Sequence, residues 1–314
     1  VGSNLFVHTH NGRVMRVVPR ENESVNETWI SDRDRFSYTG LYTDERLLQP
    51  RIKVDGAWRD ATWEEALARC ADALRSTAPD RVGALLSPSL TLEELYLAQK
   101  TLRGLGVADI DHRLEQADFR DDAAAPLFPW LGSTIEDLER AEAVLLVGCN
   151  PRREQPMLAH RLRKAALRGA RVSAIHAHAL DLSYPADAQL SGDTRAQVLH
   201  LAGVAGVLAE SGKKLPRLLA DLVAASVTED TATTEARLRI ATALTESSQA
   251  HLLLGGDAMA SPAFSALRAL AGWIARTTGA RLGYLAPGAN AAGAWLAGCV
   301  PFRGVGGHSL APAG

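Results

Sequence analysis

Short apolar runs alternate with longer amphipathic stretches from Trp58 to the end of the chain. Each run is bounded by Gly, Pro or polar residues, as expected for strands that are buried on both faces of a sheet. The clearest predicted strands are 82–86, 144–147, 172–175 and 251–254. Strands that alternate with helices in this way are typical of a parallel sheet with helices on its faces. We therefore predict an α/β fold built on doubly wound parallel sheets.

Two capping boxes mark the starts of predicted helices. In Thr62-x-x-Glu65 and Thr91-x-x-Glu94, the hydroxyl can accept a hydrogen bond from an exposed backbone N–H while the carboxylate reaches back to the cap. Gly279 stands where a left-handed residue would end a helix before the next strand. Further helices are predicted over 157–168, 196–210, 235–246 and 263–278.

The first 50 residues differ from the rest of the chain. Apolar runs at 5–7 and 14–18 flank Asn11-Gly12, the pair that a type I′ hairpin turn prefers. The polar stretch that follows has four large aromatic anchors, Trp29, Phe36, Tyr38 and Tyr42. Because two strands are marginal in water unless they are covered, this β-rich unit is expected to pack on something larger.

Composition narrows the classes of function. The chain has 314 residues, 46% of them hydrophobic, and its 34 basic and 36 acidic residues give a formal charge of −2. This balance gives no electrostatic case for a nucleic acid or for an anionic membrane surface as a partner. No apolar run approaches the roughly 18 residues of a membrane span, so direct membrane insertion is not expected. The start at Val1-Gly2-Ser3-Asn4 indicates a fragment of a longer protein.

Cysteine chemistry is not indicated. Cys70, Cys149 and Cys299 are far apart and form no Cys-x-x-Cys pair, which excludes a disulfide framework and favours reduced thiols.

His176 and His178 would share one face of an extended strand, as metal ligands can, but no third ligand stands at metal-site spacing. Surface or loop histidines are the favoured interpretation, and no metal site is predicted.

One loop is a candidate pocket. Gly148-Cys149-Asn150-Pro151 directly follows the strand at 144–147 and precedes a helix, which is where an α/β sheet presents loops to a ligand. The segment lacks the glycine spacing of a dinucleotide site and the Gly-Lys-Ser/Thr of a phosphate loop. On spacing alone, an ordinary strand-to-helix turn is the favoured interpretation.

Longer segments resemble the molybdopterin oxidoreductase family. The matching runs are Ser31-Asp32-Arg33-Asp34-Arg35-Phe36, Arg46-Leu47-Leu48-Gln49-Pro50, Thr62-Trp63-Glu64-Glu65-Ala66-Leu67, Gly148-Cys149-Asn150-Pro151 and Pro287-Gly288-Ala289-Asn290. The resemblance implies a molybdopterin oxidoreductase-like fold in two lobes, with a β-rich remnant of an iron–sulfur-type domain before them. We predict this remnant at 1–50, a discontinuous first lobe at 51–119 and 248–314, and a second lobe at 120–247.

Within that family the chain looks most like the G subunits of bacterial proton-pumping NADH:quinone oxidoreductase (complex I). The runs that carry this likeness are Arg16-Val17-Val18-Pro19-Arg20-Glu21-Asn22-Glu23, Asn26-Glu27-Thr28-Trp29-Ile30, Asp111-His112-Arg113-Leu114 and Pro129-Trp130-Leu131-Gly132. The resemblance implies that iron–sulfur clusters lie upstream in the full subunit and that this fragment holds no cofactor. It also implies partners among the other peripheral-arm subunits, on the cytoplasmic face of the bacterial inner membrane.

Departures from the family pattern point away from an active site. His176-Ala177-His178 replaces an Asp-Pro-Arg that would hold a guanine edge, and the stretch 115–119 offers molybdenum no soft donor. Gly148, Asn150, Pro151, His176 and His178 are therefore expected to form only a vestigial pocket, with no catalytic residue. An active molybdopterin-dependent fragment, or a pocket reused for a nucleotide or small anion, remains the alternative.

Ser31, Arg33 and Arg35 are the candidate docking residues. Ser31 stands where many relatives place the last cysteine of a four-iron cluster, and a hydroxyl cannot replace that thiolate. The two arginines would face the upstream iron–sulfur domain of the same subunit, or else form ion pairs within the chain. We expect Trp29 and Phe36 to be buried and the strip at 31–35 to stay accessible.

Overall fold

Residues 2–115 and 117–310 are described by a computed structural model of the chain. Parallel strands with helices on both faces form its larger part, which confirms the predicted α/β fold class. Across those two ranges, no helix has both the length and the apolar character needed to cross a bilayer.

An antiparallel hairpin opens the chain. It consists of β1 (Leu5–His10) and β2 (Arg13–Pro19), which confirms the predicted hairpin. Asn11 and Gly12 both adopt positive φ, at 48° and 72°, as a type I′ turn requires. The short helix α1 (Asp32–Phe36) packs against β2.

Residues 2–42 form the opening unit, and a second hairpin and a helix follow it. Thr62 caps this helix by accepting a hydrogen bond from the Glu65 backbone N–H at 3.2 Å. The Glu65 carboxylate binds the Arg59 guanidinium instead of returning to the cap, so only half of the predicted capping box forms. The elements are β3 (Arg51–Val54), β4 (Ala57–Asp60) and α2 (Trp63–Ser76).

A small parallel unit comes next, made of β5 (Gly83–Leu85), α3 (Leu92–Gly104) and β6 (Asp109–Asp111). The capping box at the start of α3 is complete, as predicted. Leu95 on α3 and Ile110 on β6 are fully buried, and residues from the C-terminal part of the chain share their core.

The main sheet has five parallel strands, β7 (Ala143–Val147), β8 (Arg171–His176), β9 (Gln189–Ser191), β10 (Ala250–Leu254) and β11 (Arg281–Tyr284). Their spatial order is β11-β10-β7-β8-β9, so the order reverses between β7 and β10. Loops that follow these two central strands therefore leave in opposite directions and open a crevice at the carboxyl edge of the sheet.

Helices cover both faces of this sheet. One face packs against α6 (Thr194–Glu210), α8 (Thr231–Glu246) and α10 (Phe264–Thr278), and the other packs chiefly against α5 (Pro156–Leu167). Gly279 ends α10 in the left-handed conformation, at φ 79°, as its position predicts. The helices of this part are α4 (Pro151–Glu154), α5 (Pro156–Leu167), α6 (Thr194–Glu210), α7 (Arg217–Ala225), α8 (Thr231–Glu246), α9 (Gly256–Met259), α10 (Phe264–Thr278) and α11 (Ala291–Ala297).

The predicted lobe boundary between residues 247 and 248 is wrong. Strand β10 lies beside β7 in register from Ala250 opposite Ala143 to Leu254 opposite Val147, so 250–284 belongs to the same sheet as the predicted second lobe. The reason is that every residue of β10 is buried, and such a strand requires a central place in a sheet. The segment from Gly288 onward packs with the small unit at 83–111.

Candidate functional site

The two loops at the reversal point of the main sheet pack backbone against backbone. Gly148 follows β7 with φ 54°, and a Cβ atom there would lie 2.4 Å from the Ala258 backbone nitrogen. A Cβ at Gly255, which follows β10, would lie 2.3 Å from Cys149 Cβ. Glycine is therefore required at both positions, and the Gly148-Cys149-Asn150-Pro151 loop is a close-packed wall of the crevice.

A carboxylate of the chain itself occupies this loop. The Asn150 backbone N–H donates to Glu154 Oε1 at 2.7 Å, and the Gly256 N–H also faces that carboxylate. Burial raises the pKa of Glu154, the Asn150 hydrogen bond opposes this effect, and the charges of Asp257 and Glu115 add to it. The loop amides that could bind a phosphate therefore already face a carboxylate in an acidic setting.

The histidine pair lies at the end of β8, beside the same loops. His176 is buried and His178 is exposed, with their ring centroids 4.6 Å apart at 86°. His176 Nε2 lies 3.0 Å from Asp257 Oδ2. Burial lowers the pKa of His176, while the Asp257 charge opposes that shift. Within the described part of the chain, no group of three or more His, Cys, Asp or Glu residues is arranged to hold a metal ion.

The stretch 115–119, where the family pattern would place a molybdenum donor, borders a cavity between the small unit and the main sheet. Gln116 lies outside the described residues. Asp118 accepts hydrogen bonds from Arg120 Nε at 2.8 Å and from the Ser265 backbone N–H at 3.0 Å. These interactions, Arg120 first, lower the pKa of Asp118 despite its burial. Its carboxylate thus ties the stretch to α10.

This cavity has a volume of about 160 Å³, and sequence reasoning missed it. His112 lines it from one part of the chain and Tyr284 and Trp295 from a distant one, and Gly256 connects it to the loop after β10. No spacing in the sequence brings these residues together, because the cavity is created by packing between units. The one sequence signal was the resemblance of Asp111-His112-Arg113-Leu114 to a family motif.

The docking residues lie on the opening unit. Ser31 is buried, and its hydroxyl caps α1 by accepting a hydrogen bond from the Asp34 N–H at 3.2 Å. The Arg33 side chain is 58% exposed and its Nε lies 3.9 Å from Asp34 Oδ1, while Arg35 is half-buried. The strip is therefore accessible at Arg33 and closed at Ser31.

The expectation that Trp29 and Phe36 are buried is wrong, since each is 56% exposed. Polar groups hold the segments of the opening unit together. The buried Asn26 side-chain amide donates to the Arg20 and Trp29 carbonyls at 3.1 and 2.9 Å.

An ion-pair network joins the opening unit to the main sheet. Arg161 on α5 is 3% exposed and lies 2.7 Å from Glu27 Oε1 and 2.6 Å from Glu139 Oε2. Lys164 contacts the same two carboxylates at 2.5 and 2.7 Å. Although burial opposes ionisation, hydrogen bonds from Lys164 and Arg161 lower the pKa of Glu139 to about 2. The opening unit is thus fixed to the α/β body.

Two protein-family models match this chain. The molybdopterin oxidoreductase family model matches residues 46–262, well over half of the chain. The chain therefore belongs to the molybdopterin oxidoreductase family. Residues 1–39 match a second model, described as the NADH-ubiquinone oxidoreductase NDSU1/NuoG-like, 4Fe-4S domain.

Particular relatives confirm the resemblance to G subunits. The G subunit of the NADH-quinone oxidoreductase of Rickettsia bellii (strain RML369-C) is 35% identical over 179 residues, which cover 56% of this chain and 26% of that protein. Its counterpart in Rickettsia conorii (strain ATCC VR-613 / Malish 7) is 34% identical over the same shares of each chain. The chain thus spans about a quarter of the length of these relatives.

Among solved structures, acetylene hydratase from Pelobacter acetylenicus resembles the chain with a TM-score of 0.59. The match covers 86% of this chain and 41% of that chain at 13% sequence identity. This structural similarity shows that the two chains share a fold.

Proposed function

We propose that the chain is the molybdopterin oxidoreductase-like part of a G-type subunit of NADH:quinone oxidoreductase, where it supports the electron-transferring domains without holding a cofactor. It contributes to electron transfer from NADH to quinone as a structural and docking module, and it is not catalytic by itself. The observation that carries this proposal is the Glu154 carboxylate bonded to the Asn150 amide in the crevice.

The residues present do not suit a molybdopterin nucleotide. Its phosphates would meet Glu154, Asp257 and Glu115 where they need donors or cations, and like charges disfavour binding. No residue of 115–119 has the soft donor atom that would suit molybdenum. The alternatives of an active molybdopterin fragment and of a reused nucleotide site both require an anion in this acidic crevice.

Docking is proposed to use the opening unit. Its attachment through the Glu27 network leaves Arg33, Trp29 and Phe36 exposed. An upstream iron–sulfur domain of the same subunit and other peripheral-arm subunits are the proposed partners, on the cytoplasmic face of the bacterial inner membrane. Aromatic residues and arginine are enriched in protein interfaces, which supports this assignment.

Charge reversal tests the docking role. In the assembled complex, Arg33→Glu should weaken subunit association and lower NADH:quinone turnover several-fold, because an exposed cation at the interface becomes a repelling anion. Association is measured by native gel and turnover by NADH oxidation with a quinone acceptor.

Arg75→Glu is the matched control, because the Arg75 side chain on α2 is 75% exposed and outside the opening unit. It should leave both quantities unchanged. Unchanged assembly and turnover in Arg33→Glu would remove Arg33 from the docking surface.

A further inference from the structure

The cavity between the small unit and the main sheet has mostly apolar walls. Trp295, Phe264, Met259 and Leu114 contribute to them, together with several proline and alanine side chains. Its volume of about 160 Å³ is close to that of engineered apolar cavities in another protein that take up a single benzene ring. The space is thus matched in size to a molecule of one ring.

The cationic side chains in the walls are neutralised by carboxylate partners. Arg113 lies 2.8 Å from Asp111 Oδ2 and 3.0 Å from Asp122 Oδ2. Arg268 Nε donates to Asp121 Oδ2 at 2.7 Å. With each guanidinium held by carboxylates, the walls offer an anion no uncompensated positive charge.

His112 presents a hydrogen-bond acceptor to the cavity. The side chain is 3% exposed, and Nδ1 lies 2.8 Å from the Cys299 carbonyl oxygen. Because a carbonyl only accepts, Nδ1 carries the proton and Nε2 has a free lone pair. Burial lowers the pKa of His112, which favours this neutral form. This contact does not use Nε2, and His112 is part of the cavity lining.

Tyr284 adds a hydroxyl group to the same walls. Burial raises its pKa, so the hydroxyl keeps its proton. A neutral histidine acceptor and a tyrosine hydroxyl in an otherwise apolar space can orient a ligand without attracting charge.

We propose that this cavity binds a small neutral ring compound that carries a hydroxyl or N–H donor, with the donor bonded to His112 Nε2. Phenol is the simplest member of this class. The inference goes beyond the proposed function, which stands whether or not the cavity takes up a ring compound.

Three probes of similar size distinguish the effects of the ring, of the hydrogen-bond donor and of charge on binding. Phenol, benzene and benzoate are titrated into the protein and followed by chemical-shift changes of the indole N–H of Trp295. Phenol should bind, and benzene should bind about tenfold more weakly because it lacks the donor. Benzoate should not bind, since its charge has no free cation to meet. Equal binding of phenol and benzoate, or no binding of phenol, would overturn the proposal.

Two variants locate the contact. His112→Phe should remove the preference for phenol over benzene, and Ala260→Leu, which fills the cavity, should abolish binding of both. His10→Phe on the exposed hairpin is the control and should bind like the wild type. If His112→Phe fails to fold, the three probes and Ala260→Leu still test whether phenol binds in this cavity. Phenol binding that survives Ala260→Leu would place the site elsewhere and contradict the proposal.

Discussion

Glu154 shows how one side chain changes what the edge of a sheet can bind. In a doubly wound sheet, the backbone N–H groups after the central strands are suited to an anion. Here the Asn150 N–H already has an anionic partner within the chain, 2.7 Å away. A phosphate would have to displace this carboxylate and then approach Asp257. Under the proposed function, the crevice at the carboxyl edge of the sheet is retained while its carboxylates disfavour phosphate.

His251 is a buried histidine that is expected to make the stability of the protein depend on pH. It is fully buried on β10, and neither ring nitrogen has a hydrogen-bond partner among the described residues. Burial lowers its pKa to about 4, with Arg281 adding to the shift and Asp137 opposing it. The neutral form is therefore favoured in the folded state.

The sign of the pH dependence follows from this depressed pKa. The stability contributed by neutral His251 is complete above its unfolded pKa of about 6.5 and is lost as the pH falls towards 4. His251→Leu removes this loss, so relative to wild type it should gain about 2 kcal/mol in unfolding free energy between pH 8 and pH 5. Urea unfolding at both pH values measures the difference.

His10→Leu, on the exposed hairpin, serves as the control and should show the same pH dependence as the wild type. A His251→Leu protein that loses stability in parallel with the wild type between pH 8 and pH 5 would show that His251 is not held neutral.

Helices α6 and α8 depend on a glycine for their contact. A Cβ at Gly203 would lie 2.4 Å from Arg237 Nε, and the Arg237 guanidinium donates to the Ser226 carbonyl at 2.6 Å and the Leu199 carbonyl at 3.2 Å. Gly203→Ala must displace this buried guanidinium from its acceptors. We expect a loss of roughly 2–3 kcal/mol in unfolding free energy, measured by urea denaturation.

Gly104→Ala at the end of α3 is the matched substitution, because a Cβ there meets no atom within 4 Å. It should leave stability unchanged or raise it slightly through helix propensity. Equal effects of the two alanines would contradict the packing described for α6 and α8.

Elements with a local chemical cause were predictable from the sequence. The Asn11-Gly12 turn and the Thr91-x-x-Glu94 cap depend on neighbouring residues alone, and both form as predicted. The helix α7 was missed, because its short run carries no cap signal and is bounded by packing on α6. The complete capping box expected at Thr62 was wrong because Arg59, outside the motif, binds Glu65.

At the scale of the whole molecule, Arg161 joins the opening unit to the α/β body. Arg161→Ala leaves Glu27 and Glu139 partly unpaired in a buried setting. Loss of one partner from a buried ion pair typically lowers the free energy of unfolding by about 3–5 kcal/mol. We expect residues 2–42 to become susceptible to limited proteolysis while the main sheet stays protected. Mass spectrometry of the fragments identifies the cleavage sites.

Arg163→Ala, an exposed position on the same helix, should leave the cleavage pattern unchanged. If the opening unit stays protected in Arg161→Ala, contacts other than the ion-pair network hold it in place.

Long-range arrangements were beyond what the sequence could predict. The pairing of β10 with β7 and the meeting of His112 with Trp295 join residues more than a hundred positions apart, and neither is encoded in local spacing. The exposure of Trp29 was not signalled by its residue type, since tryptophan is highly buried on average. The position of the loop at 148–151 could be predicted because the loop directly follows a buried strand. The hydrogen bond between its Asn150 N–H and the Glu154 carboxylate could be seen only in the structure.

Metal and pterin analysis of the purified protein tests whether the crevice holds a molybdopterin cofactor. The acidic crevice and the absence of a soft donor in 115–119 predict no molybdenum or tungsten above background and no ultraviolet-absorbing pterin released on denaturation. Expression in a host that makes molybdopterin and is supplied with molybdate ensures that the group is present during folding. Metal approaching one atom per chain, together with released pterin, would contradict the account.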